Sequence, residues 1–78
     1  MPFQRKSPLT HDPEAVRWAR TSVGFTQTRL AAEAGISLGL MNDIEHGRRN
    51  ATPAVLNRLA EALNCPRSVL ERKREAAA

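Results

Sequence analysis

Four stretches of this chain open on a residue whose side-chain oxygen can cap a helix and close on one that tolerates left-handed backbone. They run from Asp12 to Gly24, Thr26 to Gly35, Ser37 to Gly47 and Thr52 to Asn64. Asp12-Pro13 and Thr52-Pro53 add a proline at the first helical position, where its missing N–H costs nothing, and Glu14 suits the dipole of the first turn. Between these marks apolar residues recur with helical period. Val16, Ala19 and Val23 share a face of the first segment, and Leu30, Ala31 and Ala34 one of the second. Met41 and Ile44 point inward from the third, and Val55, Leu56, Leu59, Ala60 and Leu63 form a stripe on the fourth. The pattern predicts helices from Pro13 to about Val23, Gln27 to Ala34, Leu38 to about His46 and Pro53 to Leu63, with a fifth from Pro66 carrying Val69 and Leu70. No stretch alternates as a strand does, so the expected fold class is all-α, a compact bundle of about five short helices.

With 78 residues the chain is a single small domain, in which folding buries only about 60% of the unfolded surface. Phe3, Trp18 and Phe25 are its only aromatic residues, so aliphatic residues and alanine must build the core. Residues 1–11 carry Pro2 and Pro8 without helical period and read as a flexible basic arm; residues 12–70 read as the domain, and 71–78 as an extension that either prolongs the last helix or frays. No apolar run approaches the roughly 20 residues that cross a bilayer, and the polar, basic first residues lack the apolar centre of a secretory signal, so a cytoplasmic protein without a membrane partner is expected.

Reactive chemistry has little to work with. Cys65 is the sole cysteine, which excludes an internal disulfide and a cysteine-rich zinc site; it reads as a buried structural thiol. His11 and His46 lack an acidic or cysteine partner that would make a metal site. None of Ser7, Ser22, Ser37 and Ser68 stands in a triad-like relation to either histidine. No catalytic residue, metal or cofactor is implied. The net charge of +4 is carried mostly by arginine, the cation suited to bidentate phosphate and base contacts.

The stretch Thr26 to Gly47 combines a short helix, a glycine-containing tight turn and a second short helix, the unit called helix-turn-helix. Ala31 is small where the two helices cross, Gly35 frees the turn from the Cβ penalty, and Ile36, Met41 and Ile44 supply apolar backing. The remaining face of the second helix is then available to a DNA major groove. The chain resembles the lambda-repressor/Cro-like (XRE) helix-turn-helix family. The resemblance rests on Arg20, Gly24, Thr26-Gln27, Leu30-Ala31, Ala34-Gly35-Ile36-Ser37, Met41, Ile44-Glu45, Gly47 and Arg49-Asn50, with the Leu56, Leu59-Ala60, Leu63 stripe and Val69-Leu70, and spans about Val16 to Leu70.

The resemblance implies that the segment from Ser37 to Asp43 reads DNA, with Ser37, Leu38, Gly39, Asn42 and Asp43 at the base-reading positions. Many relatives carry Gln, Arg or Ser where this chain has Leu38, Gly39 and Leu40. Chemically, Leu38 suits a thymine methyl, Gly39 permits close approach, Asn42 suits adenine, and Asp43 can accept from cytosine N4 while paying a penalty near phosphates. Gln27, Arg48, Arg49 and Asn50 are the implied phosphate contacts. Arg20 and Glu45 are the implied structural ion pair. Arg5 and Lys6 are candidate arm contacts to a DNA groove.

Two functional readings follow. The first is a double-stranded-DNA-binding transcriptional regulator of the phage or plasmid repressor type, working as a homodimer through Val69, Leu70 and residues 71–78. The second is a protein-interaction module, such as an antitoxin with a protein partner, motivated by the apolar Leu38 and Leu40, with or without DNA binding. Trp18, off the main stripe of its helix, either packs on the fifth helix or marks a contact surface.

Overall fold

The computed structural model describes residues 9–72. They form four α-helices, α1 (Pro13–Ser22), α2 (Gln27–Ala34), α3 (Leu38–Glu45) and α4 (Pro53–Leu63), followed by a single 3-10 turn, Arg67–Val69. Each α-helix starts at its expected cap. Asp12 Oδ1 accepts from the Glu14 N–H at 3.0 Å, Thr26 Oγ1 from Arg29 at 3.0 Å, Ser37 Oγ from Leu40 at 3.0 Å and Thr52 Oγ1 from Val55 at 3.2 Å. The turn between α2 and α3 depends on Gly35, whose φ of 73° lies where a Cβ is penalised. Beyond it the Ile36 N–H bonds back to the Ala31 carbonyl, which folds α3 against α2 within three residues.

The core is aliphatic. Val16, Leu30, Met41, Ile44, Leu59 and Leu70 are fully buried, and Ala31, Ala34 and Ala60 let the helices approach closely. α2 packs on both α3 and α4, and α1 packs on α3. α3 is thus clamped from behind by two other helices. No helix among the described residues is long and apolar enough to cross a membrane.

The structure corrects several local expectations. α1 ends at Ser22, and Val23 is 48% exposed instead of sharing the inner face. α3 ends at Glu45, with His46 as its C-cap. The fifth helix is only a 3-10 turn. A longer helix would keep the Leu70 carbonyl for its own ladder, but that carbonyl accepts from the Asp12 N–H at 2.9 Å, and the Arg72 N–H donates to the Thr10 carbonyl at 3.0 Å. His11 and Glu71 form the antiparallel bridge between these bonds. Leu70 is consequently a core residue with no exposed surface and is unavailable to a dimer contact, whereas Val69 is exposed. Thr10 and His11, placed by the sequence reading in the arm, are tied into the fold; Arg5 and Lys6 lie outside the described residues, as do 73–78 of the extension. Cys65 is half-buried against the core, and burial pushes its thiol pKa up. Trp18 is 65% exposed.

Candidate nucleic-acid interface

α3 has two faces of opposite character. Met41 and Ile44 are fully buried and Glu45 nearly so, which spends one side of the helix on the core. Leu38 is 48% exposed, Gly39 is exposed, and Asn42 and Asp43 are half-buried. Leu38 with Asn42, and Gly39 with Asp43, are four apart, so these residues form one continuous strip on the outer side. Ser37 stands exposed at the head of the helix. Its oxygen accepts the capping bond from Leu40, and its hydroxyl proton remains available as a donor. Leu40 is half-buried and packs on the core instead of joining the strip.

A buried polar knot fixes the direction in which that strip points. Arg20 of α1 donates through Nε to Glu45 Oε2 at 2.6 Å and through Nη2 to Oε1 at 3.0 Å, while its Nη1 donates to the Phe25 carbonyl at 2.9 Å. Gln27, at the head of α2, donates through Nε2 to Glu45 Oε1 at 3.0 Å. One carboxylate on α3 is therefore held by both other helices of the unit. The Glu45 side chain is 1% exposed and that of Arg20 13%, so neither partner has water as a substitute. The sequence assigned Gln27 to a phosphate; here one of its amide protons is committed to Glu45, and its position at the N-terminus of α2 leaves the other polar atoms of the amide at a site that favours anions. Nearby, Arg29 lies over the Phe25 ring at 4.6 Å and pairs with Glu33 at 3.1 Å.

The loop after α3 presents the cations. Arg48 and Arg49 are more than half exposed, and both reach back to Asp43, at 3.1 and 3.8 Å respectively. Asp43 thus serves as a counter-charge to the loop, a role the sequence did not suggest beside base reading. Asn50 is also partly engaged: its Oδ1 accepts from Thr10 N at 2.8 Å and from Thr10 Oγ1 at 3.0 Å, which commits the carbonyl to Thr10 and leaves the amide protons. Thr10 Oγ1 lies 3.2 Å from the Ala51 carbonyl as well.

His11 was missed altogether as a site-forming residue. It is completely buried, with Nε2 at 2.8 Å from the Ile44 carbonyl and Nδ1 at 3.3 Å from the Ala51 N–H. His46 is exposed and places Nδ1 at 2.8 Å from the Asn42 carbonyl, within the strip side of α3. Among the described residues no group of three or more His, Cys, Asp or Glu side chains is placed to hold a metal.

An outward strip of small polar and apolar groups, a cationic loop beside it and a turn of three residues before it match a known pattern. Residues 16–70 match the helix-turn-helix family model HTH_3. The competence pilus inhibition repressor of Acinetobacter baylyi is 39% identical over 51 residues, 65% of this chain and 46% of that protein. The transcriptional regulator ClgR of Mycobacterium tuberculosis is 35% identical over 57 residues, 73% of this chain and 51% of that protein. The chain thus spans about half the length of these curated relatives. The solved restriction-modification controller protein C.AhdI of Aeromonas hydrophila superposes with a TM-score of 0.72 at 28% identity, covering 73% of this chain and 86% of that one. Matched over residues 16–70 and superposing on the fold of that controller, the chain belongs to the helix-turn-helix family of the lambda-repressor/Cro-like (XRE) type.

Proposed function

We propose that this chain is a sequence-specific, double-stranded-DNA-binding transcriptional regulator, a repressor of the phage or plasmid type that works in the cytoplasm with α3 in the major groove. The observation that carries this reading is the division of α3. Its inner side is consumed by Met41, Ile44 and Glu45, while Leu38, Gly39, Asn42 and Asp43 stand outward next to the exposed Arg48 and Arg49. Base edges are met by the strip and phosphates by the loop and the head of α2. One copy spans about one half-site, so two copies on an inverted repeat provide the specific affinity. In-vitro selection from random duplexes tests this reading. The expected result is an enriched motif of two half-sites about one helical turn apart; no enrichment at low salt refutes it.

The exposed Trp18 favours a second reading, in which a protein partner sits on α1. An antitoxin would be one such module. Tight binding to a protein partner together with no duplex binding at low salt selects that reading over the first.

A further inference from the structure

We propose that His11 is a positioning residue for DNA recognition: its buried imidazole sets the loop bearing Arg48 and Arg49 against the end of α3. This rests on the DNA-binding reading of α3. The Ala51 N–H can only donate, so His11 Nδ1 must offer its lone pair, and the ring proton sits on Nε2 and is given to the Ile44 carbonyl. A single neutral ring thereby joins the last turn of α3 to the residue at which the arginine loop re-enters the core. Ile44 and Ala51 are both buried, so water cannot replace either bond.

Thr10 closes the same clasp on its outer side through Asn50 Oδ1 and the Ala51 carbonyl. The backbone of 10–12 is in turn held by Leu70 and Arg72. The loop therefore has a fixed anchor that belongs to neither of the helices it connects. Phosphate contacts and base contacts must be made together, so the spacing between loop and strip decides whether both fit one duplex.

Two substitutions separate the two bonds. His11→Asn keeps an acceptor near the Nδ1 position and gives up the bond to Ile44. His11→Gln keeps a donor near Nε2 and strands the Ala51 N–H. Affinities are measured by fluorescence anisotropy over a salt series, on a selected duplex and on a scrambled one, well below each variant's unfolding temperature. His11→Gln is expected to weaken binding to both duplexes about tenfold and to flatten the salt slope by about one unit, as loop contacts are lost. His11→Asn is expected to restore that slope while discriminating less between the duplexes. Thr10→Val opens the clasp from outside without entering the core and is expected to act like His11→Gln, more weakly; it carries the test if a His11 variant fails to fold. Folded variants with wild-type affinity, slope and discrimination overturn the proposal, as does an imidazole ¹⁵N spectrum placing the proton on Nδ1. Failure of the unsubstituted chain to bind either duplex removes the DNA-binding reading itself and the proposal with it.

Discussion

Arg20 and Glu45 meet through two parallel hydrogen bonds, at 2.6 and 3.0 Å, across the gap between α1 and α3. The pair is nearly dry and the carboxylate is shared with Gln27, so removing one charge strands the other without solvent. Glu45→Gln and Arg20→Met should each destabilise the fold by roughly 3–5 kcal/mol. The double variant Arg20→Met/Glu45→Met should recover part of that loss, because no charge is left buried. Urea unfolding of the three variants checks this. Single losses below about 1 kcal/mol would place the pair among ordinary surface bridges.

Asp43 offsets one of the two positive charges of Arg48 and Arg49 in the unbound chain and would face the phosphates in the bound one. Asp43→Asn should tighten binding to scrambled duplex several-fold, consistent with exposed ion pairs worth less than about 1 kcal/mol, and should narrow the margin for the selected site. Anisotropy titrations on both duplexes decide. Weaker binding only to the selected site would instead assign Asp43 to a base contact.

Asn42 and Arg49 should fail in different ways. Asn42→Ala should cost roughly 1–3 kcal/mol at one base position and leave scrambled duplex nearly unaffected. Arg49→Ala should weaken binding to every sequence and reduce the salt slope by about one unit. A base-pair scan with each variant tells the two apart; equal loss on all duplexes for Asn42→Ala would refute its reading role.

Gly39 is a helical glycine for which the fold gives no steric reason. A Cβ built there would meet nothing nearer than Ser37 Oγ at 4.0 Å. Gly39→Ala should therefore raise stability by about 0.5–1 kcal/mol. If the missing side chain serves close approach of the groove, the same change should weaken specific binding. Thermal unfolding paired with duplex affinity tests both halves, and a stabilised variant with unchanged affinity would deny Gly39 a place at the DNA.

Cys65 has its thiol pKa raised by burial. A group whose folded-state pKa lies above its unfolded value contributes stability that is present below the unfolded value and lost as pH rises through the folded one. Urea midpoints should therefore fall by more in this chain than in Cys65→Ala as pH rises above the ordinary thiol value of 9.0. Alkylation by iodoacetamide should also be slower in the native chain than in urea. Equal alkaline losses in the two proteins would contradict the assignment.

The sequence by itself determined where the four α-helices begin, their N-caps and the inward residues Met41 and Ile44 of α3. These are short-range matters: Asp12, Thr26, Ser37 and Thr52 cap groups within three residues, Gly35 supplies a local φ, and Met41 and Ile44 follow the period of one helix. Resemblance to a family located the strip and paired Arg20 with Glu45. Tertiary structure alone decided the use of groups whose partners are remote. His11 bonds to residues 33 and 40 positions away through their backbone, and backbone atoms leave no mark in residue identity. The same holds for Leu70, drawn into the core where its carbonyl accepts from Asp12 and the nearby Arg72 N–H donates to Thr10 instead of extending a helix. Local propensity sets where a helix can begin; competition for long-range hydrogen bonds and buried volume settles where it ends and what its neighbours hold in place.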